Sequence, residues 1–127
     1  MSSKRLLVID DDPKVTGIFS EFFADRYIVD VAASGGEGID AVTRNRPDVV
    51  VLDIAMPGVD GLQVLRNIKR LDSRIPIIMI TGSTDLSVAE EALRDGAFAY
   101  LPKPFQLQYA EHLVAAALTE PQEAERR

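Results

Sequence analysis

The stretch DVVVLDIAMPGVDGL, Asp48 to Leu62, decides how the whole chain is read. A continuous apolar run, rich in branched residues, ends on a carboxylate, Asp53, and the turn Met56-Pro57-Gly58 follows almost at once. Such a run reads as a strand buried on both faces, as in a parallel sheet. A strand held on both faces is a rigid post, so the acid at its carboxyl end is an acid fixed in place. Asp60 stands where a helix cap belongs, ahead of the stripe Leu62, Leu65, Ile68 and Leu71. The local unit is therefore strand, loop, helix.

The same unit recurs on both sides. RLLVI (Arg5–Ile9), DVVVL (Asp48–Leu52) and IPIIMI (Ile75–Ile80) are short apolar runs of the fully buried kind. YIVDVAA (Tyr27–Ala33) carries Asp30 on one face, and AFAYLP (Ala97–Pro102) ends in proline, so both read as edge strands. Helices fall between them. Asp12-Pro13 opens one whose stripe is Val15, Ile18, Phe19, Phe22 and Phe23. Ser34 to Glu37 has the spacing of a capping box and opens a helix to Arg44. Ser87 and Glu90 repeat that spacing for a fourth helix, which Gly96 stops, and Leu107 to Leu118 forms a fifth. Five β-α units in a row predict an α/β fold: a doubly wound, five-stranded parallel sheet in the order 2-1-3-4-5.

Composition narrows the function. The chain has 127 residues, 46% hydrophobic and 27% charged, which suits one domain with one core. A net charge of -6 disfavours direct binding to nucleic acid or to an anionic membrane. With no cysteine there is neither a disulfide nor a thiolate metal site. The start, MSSKRLLVIDDD, lacks the apolar length of a signal peptide, and no stretch approaches the ~20 apolar residues of a membrane span. The expectation is a cytoplasmic protein.

In such a sheet, ligands bind beyond the carboxyl ends of the strands, where the strand order reverses. The first strand ends in Asp10, Asp11 and Asp12, the third in Asp53, the fourth in Thr81, Gly82 and Ser83, and the fifth in Lys103 between two prolines. In the predicted order the first and third strands are neighbours, so their acids converge. Crowded carboxylates repel unless something offsets their charge, and Mg²⁺, which takes oxygen ligands, does this well. A metal, a lysine, a hydroxyl and a carboxylate nucleophile together make a phosphoryl-transfer site with Asp53 as acceptor. Beside this reading, Asp12 serves as the N-cap of the first helix, Ser83 as a turn residue, His112 as a surface histidine, and Glu90-Glu91 as a solvated face.

LLVIDDDP, VVVLDIAMPGVDGL, IIMITGSTD and AYLPKPF, in this order and spacing, resemble the signature segments of the receiver domain of bacterial two-component response regulators. The resemblance covers roughly Lys4 to Leu118, so residues 1–120 are read as a receiver domain with the flavodoxin-like fold and 121–127 as a polar tail. It implies that Asp53 is phosphorylated by a sensor histidine kinase or a histidine phosphotransfer protein. It further implies that Asp11 ligates Mg²⁺ directly, Asp10 mainly through water, and Ala55 through its backbone carbonyl. Thr81 matches the switch hydroxyl, Tyr100 the aromatic switch and Lys103 the family's lysine, whose bond to Pro104 is usually cis in relatives.

The output side would be an effector domain or protein, reached through the face of helix 4, strand 5 and helix 5. The resemblance admits a weak or phosphorylation-dependent homodimer, although Phe105 to Thr119 has none of the basic residues that salt-bridged dimers of this face usually carry. The chain would not be an enzyme beyond its own phosphorylation and slow self-dephosphorylation. Two rivals are weighed. A Mg²⁺-dependent phosphohydrolase of the haloacid-dehalogenase kind needs an acid two residues after its nucleophile, where this chain has Ala55. A degenerate receiver used purely as a protein-interaction module usually loses an acid, the threonine or the lysine, and none is missing.

Overall fold

A computed structural model of the chain describes residues 3–82 and 86–119. Strands and helices alternate throughout: β1 (Lys4–Ile9), α1 (Pro13–Phe23), β2 (Tyr27–Ala32), α2 (Gly35–Asn45), β3 (Val49–Asp53), α3 (Gly61–Leu71), β4 (Ile77–Thr81), α4 (Leu86–Arg94), β5 (Ala99–Pro102) and α5 (Leu107–Thr119). All strand pairs are parallel, in the order β2-β1-β3-β4-β5. The three strands read as buried are the inner ones, and the two read as edges lie at the edges.

Side chains of successive strand residues point to opposite faces, and each face has its own core. Leu7, Ile9, Val50, Leu52, Ile77 and Met79 pack with residues of α2, α3 and α4. Leu6, Val8, Val49, Val51, Ile78 and Ile80 pack with α1 and α5. Phe19 and Phe23 of α1 are fully buried there, with their rings stacked at 5.7 Å.

Three helix details differ from the sequence reading. Ile18, the second of five residues in its stripe, is 51% exposed, and Leu71, the last of its stripe, is 47% exposed, so neither reaches the core. In α3 the buried line runs through Gly61, Val64, Leu65 and Ile68. A stripe spaced by three drifts around a 3.6-residue turn, so its far end rotates out to solvent. The third concerns α4, which begins at Leu86, so Ser87 lies inside its first turn rather than at the cap. Asp12, Ser34 and Asp60 do cap α1, α2 and α3, each accepting a backbone N–H. Ser83 and the tail 121–127 lie outside the described residues.

One glycine is needed for space. A Cβ on Gly61 would lie 2.6 Å from the Ile54 Cα, so only glycine lets α3 start against the backbone that follows Asp53.

Candidate functional site

The register of β1 on β3 builds the site. Leu6 pairs with Val49, and the pairing runs in step to Ile9 with Leu52. One further step along the same register sets Asp10 beside Asp53. On the other side Asp53 pairs with Ile80, the residue before Thr81. Carboxylate oxygens of Asp10, Asp11 and Asp53 lie within 4.8 Å of one another. Asp10 and Asp53 are buried and Asp11 is exposed.

Each acid is held by the local chain. The Asp12 amide donates to Asp10 Oδ1 at 2.9 Å, and the Ala55 amide donates to Asp53 Oδ1 at 3.0 Å. Asp10 Oδ2 is buried without a hydrogen-bond partner. A buried acceptor without a donor is costly, and a cation at the cluster would satisfy it. The donor set is all oxygen, so the residues present fit a hard divalent ion. Burial pushes the Asp10 carboxyl up to about 6, and the Asp12 amide opposes the rise while the neighbouring Asp53 charge adds to it.

From β5, the Lys103 ammonium stands 3.8 Å from Asp53 Oδ2. Its backbone amide donates to the Thr81 carbonyl at 2.7 Å, which fastens the lysine's loop to the end of β4. The Lys103–Pro104 peptide is cis. Thr81 is 4% exposed and engaged in a polar contact. Tyr100 pairs with Met79 in register, so Tyr100 and Thr81, two residues on from Met79, share the α3/α4 face of the sheet. Asp53 follows Val49 and Val51 onto the α1/α5 face.

The structure thus gathers Asp10, Asp11, Asp53 and Lys103 into one cleft, with Thr81 at the adjacent strand end and Tyr100 behind it. Ala55 is exposed on the loop beyond Asp53. His112, Glu90 and Glu91 are exposed, in keeping with their surface readings. Two supports were not foreseen: the Asp12 amide on Asp10, and Gly61 beneath the loop after Asp53. The second had a signal, since glycine is a poor first helical residue unless space demands it.

A doubly wound sheet with carboxylates and a lysine crowded at its switch point defines a flavodoxin-like domain built for phosphate chemistry. The family model described as "Response regulator receiver domain" matches residues 6–116, and the chain belongs to that family. It is similar to the DNA-binding transcriptional regulator NtrC of Klebsiella pneumoniae, 38% identical over 117 residues, 91% of this chain and 25% of that protein. The chain thus spans a quarter of the length of the NtrC proteins it matches. Sporulation initiation phosphotransferase F of Bacillus subtilis (strain 168) is 33% identical over 108 residues, 84% of this chain and 87% of that protein. A solved receiver domain protein from Clostridium thermocellum superposes with a TM-score of 0.85 at 34% identity, covering 91% of this chain and 94% of that one.

Family membership makes this a domain of two-component phosphorelay signalling rather than a phosphohydrolase. Receiver domains work with histidine kinases or phosphotransfer proteins on one side and effector domains on the other. Among the described residues, no helix is long and apolar enough to cross a membrane.

Proposed function

We propose that Asp53 is the phosphoacceptor of this receiver domain, taking its phosphoryl group from the phosphohistidine of a sensor histidine kinase or a histidine phosphotransfer protein. The observation that carries this reading is the convergence of three carboxylates within 4.8 Å beside a lysine 3.8 Å from Asp53. An oxygen of Asp53 attacks phosphorus as the P–N bond to the donor imidazole breaks, and the leaving nitrogen keeps the electron pair of that bond. The Ala55 amide fixes the carboxylate's orientation, so the attacking oxygen needs little reorganisation. Lys103 offsets negative charge on the oxygens of the group in flight.

Asp11 directly, Asp10 mainly through water, Asp53 and the Ala55 carbonyl would hold Mg²⁺. When bound, the ion offsets the repulsion among the acids and the charge on the phosphoryl oxygens. Thr81 then bonds the new phosphoryl oxygens, and Tyr100, on the same face, repacks with the loop as α4 and β5 shift.

The chain acts as a switch rather than a turnover enzyme, catalysing its own phosphorylation and a slow self-dephosphorylation. It works in the cytoplasm through protein contacts, with an effector domain or protein as its output and no direct grip on nucleic acid. A weak, phosphorylation-dependent homodimer belongs to the same reading. It would form without salt bridges from α5, which carries no lysine or arginine.

The test is to treat the protein with acetyl phosphate and Mg²⁺ and to map the modified residue. Label on Asp53 alone, lost in chelator, is the expected result. Label that persists in Asp53→Asn, or forms equally well without Mg²⁺, overturns the reading.

A further inference from the structure

Charge is sorted along the strands. The acids Asp10, Asp11 and Asp53 gather at the carboxyl ends. Toward the amino ends lie two adjoining cavities, one of about 280 Å³, that share Arg46, Asp72 and Arg74 in their walls. Lys4 joins them on one side, and Lys69 and Arg70 on the other. The walls therefore hold five cations against Asp48 and Asp72, in a chain with 20 acidic and 14 basic residues. The local sign opposes that of the whole molecule.

The two acids are already engaged. Asp48 accepts the Arg5 amide at 2.7 Å, and Asp72 accepts the backbone amide and Nε of Arg74 at 3.0 and 3.2 Å. Of the five cations, Lys69 donates to the Ser73 and Ile75 carbonyls at 3.0 and 2.9 Å, and Arg74 and Arg46 pair with Asp72, Arg46 at 3.6 Å with its side chain 55% exposed. Lys4 and Arg70 make no ion pair among the described residues. Arg46 also sits at the left-handed C-cap of α2, with φ 38° and ψ 82°. Glycine fits that position freely, whereas a residue with a Cβ costs on the order of 1 kcal/mol. Placing an arginine there sets its side chain in the wall that the two cavities share. Between the cations Pro47, Ile75 and Pro76 line the floor but are themselves buried, and the half-buried Leu118 of α5 flanks them.

We propose that this amino-end cavity docks an acidic peptide segment of a partner protein. Its carboxylates would meet Lys4, Arg46 and Arg74, and one apolar side chain would lie against Leu118. Charge complementarity selects an acidic ligand. The flanking Leu118, the two aspartates and the net charge of -6 select a mixed peptide over the closely spaced phosphates of a nucleic acid. The site lies at the far end of the strands from Asp53, so it stands independently of the phosphoacceptor reading and leaves that cleft free.

The test titrates the isotope-labelled full chain with a short glutamate-rich peptide containing a single leucine, and reads the backbone amides by NMR. The amides near Lys4, Arg46, Asp48, Arg74 and Leu118 should shift, with affinity falling about five-fold between low and moderate salt. Lys4→Glu and Arg46→Glu should each weaken binding roughly three-fold or more. Lys4→Glu breaks no ion pair among the described residues, so its effect does not pass through the fold. Shifts at Asp10, Asp11 and Asp53 instead, affinity unchanged by both charge reversals, or tighter binding of a single-stranded oligonucleotide of equal charge would each overturn the assignment.

Discussion

Replacing Asp10 by asparagine should stabilise the metal-free protein. Asp10 is 1% exposed, its Oδ2 has no hydrogen-bond partner, and its carboxyl is pushed from 3.8 up to about 6. For an acid with a raised folded-state value, the folded protein holds a proton that the unfolded chain has lost, between pH 3.8 and about 6. Stability from this group is therefore full below that window and falls as pH rises through it. At 1.36 kcal/mol per pH unit, the ionised carboxylate costs on the order of 3 kcal/mol at pH 7.5. Asparagine keeps the oxygen that accepts the Asp12 amide and carries no charge. Asp10→Asn should thus gain up to about 3 kcal/mol at pH 7.5, or on the order of 10 °C in melting temperature for a domain of this size. The gain should shrink steadily as pH falls toward 4. Added Mg²⁺ should raise the parent's stability more than the variant's, because the ion binds the folded state alone. Urea unfolding of both proteins in chelator, from pH 4.5 to 7.5, measures this. A variant less stable than the parent at pH 7.5, or an advantage that is flat with pH, would show that Asp10 is not a strained charge.

Gly61→Ala should lose about 1–3 kcal/mol in chemical denaturation, because its methyl would meet the Ile54 backbone at 2.6 Å. Elsewhere in a helix the same change would be neutral or stabilising, so an unchanged midpoint would refute the close approach. Thr81→Ala should still take up phosphoryl groups while α4 and β5 fail to respond, which backbone chemical shifts with and without beryllofluoride would reveal; a response identical to the parent's would uncouple Thr81 from the switch. The Ala55 side chain has no polar group to orient an attacking water, so phosphate loss should be slow and several-fold faster in Ala55→Asn under matched Mg²⁺. Decay of the variant at the parental rate would place control of the lifetime elsewhere.

Strand order and the cleft were legible because buried strands leave an unbroken apolar signature and because each ended on a distinctive polar residue. Asp53 and Lys103 stand 49 and 99 residues from Lys4 in sequence, yet strand order alone brings them into one cleft. Helix faces were less legible. Ile18 and Leu71 have the right spacing for a core stripe, but whether a given member is covered depends on where the neighbouring elements lie. The start of α4 was misplaced because Ser87 and Glu90 have capping-box spacing wherever they fall on a helix. Arg46 gave no local warning at all: its left-handed backbone follows from how α2 must turn into Pro47, and arginine has no preference for it.

The alternation of side chains across the sheet leaves Asp53 over the α1/α5 layer and Thr81 over the α3/α4 layer, one strand apart. The sheet is thereby a partition with a doorway one residue wide. A donor approaching Asp53 across α1 and a reader resting on α4 would occupy separate rooms, and would meet only where both reach α5. Surface changes in one room need not disturb the other, which leaves such a domain free to change its upstream and downstream company independently while the doorway itself stays as it is.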